Sequence, residues 1–61
     1  MPFTNEQKMQ AVEREIKYRR HVYPRLIEQG KITDGFASVQ IAIFEEIADE
    51  YRKAAELEKL L

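Results

Sequence analysis

Sixty-one residues give room for one domain, and a chain of this size buries a smaller share of its surface than an ordinary domain does. With no cysteine and a single histidine, His21, the disulfide and metal staples of small scaffolds are missing, which leaves self-association as the support to expect. Ten Lys and Arg against eleven Asp and Glu leave a formal net charge of -1, which argues against a generic polyanion binder; no apolar run has the length of a leader or a membrane span, so the chain reads as cytoplasmic.

The first element is opened by Thr4-Asn5-Glu6-Gln7, which has the form of a capping box: the Thr4 hydroxyl takes an orphan amide and Gln7 reaches back to the cap. Met9, Val12, Ile16, Tyr23 and Leu26 then follow in three- and four-residue steps once Arg19 is admitted to the series, the stripe of a helix packed in a bundle. Pro24 cannot donate to the Arg20 carbonyl and disfavours helical geometry at Tyr23, so the helix should kink there, or break and restart. Gly30 is placed to take the left-handed conformation behind a C-terminus, which predicts helix 1 over about residues 5–29.

Residues 30–34 form the turn, with Thr33 or Asp34 as the next N-cap. From Phe36 to Leu61 there is neither proline nor glycine, and Ala, Glu, Leu, Lys and Ile dominate, so helix 2 is predicted over about residues 35–60. It carries two adjacent apolar stripes: Phe36, Ile43, Ile47, Ala54 and Leu57, then Ala37, Ile41, Phe44, Ala48, Tyr51 and Ala55. A single partner helix cannot cover both. One stripe should pack on helix 1 and the other on a second subunit, and Ile41, Phe44, Ala48, Tyr51 and Ala55 are the expected dimer contact.

The expected architecture is therefore all-α, one domain over residues 1–61: a two-helix antiparallel hairpin, kinked at Pro24, that forms a homodimeric helical bundle. Charge favours the antiparallel arrangement. Residues 1–31 hold seven basic and four acidic side chains while residues 32–61 hold three and seven, and an antiparallel fold sets Arg14, Lys17 and Arg20 across from Glu45, Glu46, Asp49 and Glu50.

Chemistry is thinly represented. His21 is the only imidazole, and its neighbours one helical turn away, Lys17 and Arg25, cannot help it ligate a metal. The acids Glu45, Glu46, Asp49 and Glu50 read as the solvated face of a long helix. Ser38 is the only serine and has no histidine near it, and no glycine-rich loop is present to cradle phosphate. No catalytic residue, metal ligand or cofactor site is expected, and the chain does not read as an enzyme.

The segment Lys17-Tyr18-Arg19-Arg20-His21-Val22-Tyr23-Pro24-Arg25 is more informative, because four cations interleave with two tyrosines beside the expected kink. Arg and Tyr are enriched at protein–protein hot spots, and Lys17, Arg19, Arg20, Tyr23 and Arg25 are the expected partner-binding residues. The same side chains suit phosphates and bases, though the acidic second helix weakens the field that would draw nucleic acid in. The plainest alternative has Tyr18, Val22 and Tyr23 in the core and the arginines paired with helix 2.

Glu15-x-Lys17-x-Arg19-x-x-Val22-Tyr23-Pro24, followed by Gly30-Lys31-Ile32 and a long second helix through Ile47 and Tyr51, resembles short helical proteins of temperate phages, and among them the quorum-sensing anti-activator family of Pseudomonas phages. The likeness spans about residues 10–52. It implies a phage-encoded dimer of helical hairpins, acting in the host cell cytoplasm, that inhibits a host protein such as a LuxR-type transcription activator by direct contact. It brings no catalytic residues. The alternative expectation is a small nucleic-acid-associated or phage structural accessory protein.

Overall fold

The computed structural model describes residues 2–61, which form two helices, α1 (Asn5–Glu28) and α2 (Asp34–Leu60), folded back on one another as an antiparallel hairpin. Each boundary has a local cause. At the start of α1 the Thr4 N–H donates to Gln7 Oε1 at 2.9 Å and the Gln7 N–H donates to Thr4 Oγ1 at 3.0 Å, so both halves of the capping box are formed. At its end Gly30 takes a φ of 74°, which lets the Gly30 N–H reach the Ile27 carbonyl and the Lys31 N–H reach that of Leu26, each at 2.9 Å. These two bonds satisfy carbonyls that the last turn would otherwise leave orphaned. Of the two candidate caps for α2, Thr33 is the one used: its Oγ1 accepts from the Phe36 N–H at 3.0 Å, and Asp34 becomes the first helical residue, its charge set against the positive helix end.

The break considered at Pro24 does not occur, and α1 runs through it to Glu28. Pro24 sits on the exposed side of the helix, where water can take the Arg20 carbonyl that proline leaves without a donor.

The hairpin is a rod. Its extents are 48 × 18 × 16 Å and its radius of gyration is 14.2 Å, whereas a compact chain of this length would have about 10.5 Å. The interior is correspondingly thin: Tyr23 from α1 and Ala37, Ala48 and Ala55 from α2 are the buried residues, with Met9, Val12, Ile16, Ile41, Phe44, Ile47 and Tyr51 half-buried around them. Short alanine side chains let the backbone of α1 lie close to α2, and Tyr23 is the one large side chain among the buried residues.

Within one chain this packing turns the residues expected at the dimer contact toward α1. Ile41, Phe44, Ala48, Tyr51 and Ala55 are the stripe turned toward α1, and Ala48, at 2% exposure, is already covered within one chain. The stripe left open is the other one, with Phe36, Ile43 and Leu57 exposed at 51%, 45% and 61%. The two stripes differ by a single residue step, and a step of one rotates the helix by about 100°, so what selects between them is the register against α1.

Charge is sorted across the seam as well. Along one side Arg20 pairs with Glu45, Arg52 Nη2 lies 2.8 Å from Glu13, and Lys59 lies 4.0 Å from Glu6. Arg52 also pairs with Asp49 at 3.3 Å, and Lys53 pairs with Asp49 at 3.1 Å. The other side of the seam is where Phe36, Ile43 and Ile47 emerge.

Candidate functional site

On α1, positions 14, 18, 21 and 25 step by four, three and four, and the helix places them together on the face turned away from α2. Arg14, Lys17, Tyr18, His21 and Arg25 are all exposed, Tyr18 at 61%. None of the three cations makes an ion pair among the described residues, whereas every cation of α2 is paired. The reason is positional. The carboxylates of α2 lie on the far side of the hairpin, and of the cations expected to face them only Arg20 reaches one. At the N-terminal end of this face Phe3, Gln7, Gln10, Ala11 and Arg14 border a notch of about 510 Å³ with an apolar floor.

The five expected partner-binding residues are therefore split. Arg25 belongs to the outward face, and Lys17 stands at its edge, where it also borders the groove beside Arg20 and Glu45. Tyr23 does not belong to the face: at 8% exposure it is core, and it offers a partner only the little surface that borders the groove between the helices. Arg19 is held from four directions. Its Nη2 pairs with Glu15 at 3.1 Å, its Nη1 donates to Tyr23 Oη at 3.2 Å, and its guanidinium carbon lies 4.6 Å from the centre of the Phe44 ring and 6.0 Å from that of Tyr23. Such a cation over two rings covers apolar area that would otherwise meet water, which explains why an arginine stands in the apolar series of α1. Its Nε is buried without a hydrogen-bond partner, so holding the group there carries a desolvation cost. Arg20 is exposed but bound to Glu45.

Arg14, Tyr18 and His21 were missed as members of the face, although their spacing carried the signal. The charge-and-aromatic composition of residues 17–25 identifies the segment, but only the four-three-four spacing extends it back to Arg14 and separates it from Tyr23.

Elsewhere the molecule offers little for chemistry to work with. A groove of about 500 Å³ on the ion-paired side is lined by Glu13, Lys17, Arg20, Glu45, Asp49 and Arg52, most of whose charges already satisfy one another. The hydrogen bond to Glu13 raises the Arg52 pKa above its ordinary value, against a smaller opposing effect of desolvation, with the charges of Glu13, Asp49 and Glu56 adding to the rise. Arg52 is thus a fixed cation across the working pH range. Among the described residues no three His, Asp or Glu side chains gather as a metal site, and no helix is long and apolar enough to cross a membrane.

Comparison of the chain with protein-family models, with curated proteins and with solved structures finds no match.

Proposed function

We propose that this chain is a non-enzymatic binding protein, working as a homodimer, that docks a protein partner through the outward face of α1. One observation carries the reading: Arg14, Lys17 and Arg25 stand exposed beside Tyr18 and His21 and make no ion pair among the described residues, whereas the remaining arginines and the α2 lysines are paired. Unpaired cations around an exposed tyrosine are the elements from which hot spots are built, and a helix bearing them offers a preordered platform, so little conformational entropy is lost on contact. The partner surface that complements the face is acidic with an apolar recess for Tyr18. A bend at Pro24 would tilt Arg25 relative to Arg14 and Tyr18, and so tune the face to its target.

The resemblance to phage anti-activators supports a host regulator of the LuxR type as the first partner to try. In that reading the chain is phage-encoded, acts in the host cytoplasm, and inhibits by occupying the regulator's DNA-binding part.

The same unpaired cations favour a second reading, a nucleic-acid-associated protein. Three phosphate contacts would make affinity fall by about 40-fold between 50 and 200 mM salt, and a packed protein interface falls less. Against phosphate binding stands the formal net charge of -1, which supplies no general field to draw a polyanion in.

The test is a charge reversal of the face, Arg14→Glu with Lys17→Glu and Arg25→Glu, read by circular dichroism and by titration against a purified LuxR-type activator. Helicity unchanged and affinity reduced at least about 100-fold is the expected result, given three lost cations of an interface core. Undiminished affinity would refute the face. A wild-type chain that ignores the activator but binds DNA with the steep salt response would replace this reading with the second.

A further inference from the structure

The apolar stripe that the hairpin leaves open has a size and a charge pattern that say what covers it. From Phe36 to Leu61, helical spacing brings Phe36, Val39, Ile43, Ile47 and Leu57 to the α2 face beside the seam, on the side opposite the interhelical ion pairs. Phe36, Val39, Ile43 and Leu57 are among the exposed large hydrophobic residues. Glu50 is the one charge within the stripe, and Glu46 and Lys53 flank it on the same edge, one heptad apart.

Area supplies the first argument. A compact monomer of 7.2 kDa would leave about 4,100 Å² accessible, whereas this chain exposes 4830 Å². The surplus over the whole rod is about 700 Å² per chain, and two chains that each removed that much would bury about 1,400 Å², within the range of a standard specific interface. Charge supplies the second. If α2 of one copy lies antiparallel on α2 of another about a two-fold axis near residue 50, Ile43 of each copy meets Leu57 of the other, Val39 meets the Leu60–Leu61 end, and Phe36 lies beyond the contact. In that register Glu46 of each copy comes beside Lys53 of the other, so the same ion pair forms twice. A parallel pairing would instead set Glu46 against Glu46 and Lys53 against Lys53.

We infer that the open α2 stripe is the homodimer interface, and that two hairpins pair α2 to α2, antiparallel, into a four-helix bundle with the basic faces of α1 outermost. The inference rests on the homodimer reading and adds its surface and register. It leaves Arg14, Lys17 and Arg25 of both copies free, so the assembled bundle displays two equivalent partner faces. Glu50 falls beside the axis and meets its own copy, a like-charge contact that weakens the dimer.

The experiment is light scattering coupled to sedimentation, over a dilution series of the full chain, with helicity followed in parallel. The wild type should have twice the 7.2 kDa chain mass. Ile43→Glu replaces a residue already exposed in the single chain, so the hairpin should keep its helicity while the dissociation constant rises about 100-fold or more, from a charge buried without a partner. Ser38→Glu, on the opposite side of α2, should leave the mass unchanged. Glu46→Lys should weaken the dimer, combining it with Lys53→Glu should restore it, and Glu50→Gln should tighten it. A wild type that is monomeric throughout would overturn the homodimer and this interface together. A dimer that survives Ile43→Glu would overturn the interface alone, and failure of the charge swap to restore association would overturn the antiparallel register.

Discussion

Tyr23→Ala separates a core role from a binding role, because Tyr23 is the one large side chain among the buried residues, with 8% of its surface exposed. A buried tyrosine of that kind removes roughly 180 Å² from water, which at about 25 cal/mol/Å² is about 4 kcal/mol, an upper figure because the unfolded chain is itself partly collapsed. Deleting a buried aromatic ring leaves a cavity too, and about 3–4 kcal/mol is the expected loss. A 61-residue chain has only about 3–9 kcal/mol in total, so the variant should lose from about a third to all of its stability. Urea unfolding followed by circular dichroism at one fixed chain concentration measures the loss without confusing it with dissociation. Tyr23→Phe, which removes only the hydroxyl that accepts from Arg19, should cost about 1 kcal/mol and leave partner affinity intact. A loss below about 1 kcal/mol for Tyr23→Ala, or partner binding abolished by Tyr23→Phe at full helicity, would refute the placement of this ring in the core.

Two further substitutions test the backbone. Gly30→Ala puts a side chain into left-handed geometry at φ 74°, and since no atom lies within 4 Å of the new Cβ the cost is purely conformational, about 1 kcal/mol; thermal unfolding should move down, and an unchanged midpoint would mean the turn can reshape without the glycine. Pro24→Ala restores an N–H to the Arg20 carbonyl in a helix that already runs through that position, so the urea midpoint should rise by the equivalent of about 1–3 kcal/mol, and a fall would show that proline's ring makes a contact worth more than the bond it prevents.

Much of the secondary structure was legible in the sequence, because helix ends are local events. Thr4 and Gln7 lie three residues apart and close on each other, and Gly30 needs nothing distant to adopt its conformation. The stop of α1 at Glu28 and the start of α2 at Asp34 accordingly fall within one residue of the expected limits. The split of charge between the two halves pointed to antiparallel association, which the Arg20–Glu45 and Arg52–Glu13 pairs express. The outward face was only half legible, since composition marked residues 17–25 but could not say which of them turned inward.

What the sequence by itself determined is that there are two amphipathic helices, where they begin and end, and that α2 has more apolar surface than one neighbour can cover. What only the tertiary structure decided is which apolar stripe meets α1. Both stripes of α2 are apolar and recur with the same helical period, so periodicity cannot rank them. The choice falls to fit: Ala37, Ala48 and Ala55 recur on one stripe and admit the backbone of α1 closely enough for Tyr23 to fill the seam, while Arg19 spreads over Phe44 beside it. Close packing of that kind depends on both helices at once, and it is what leaves Phe36, Ile43 and Leu57 facing out.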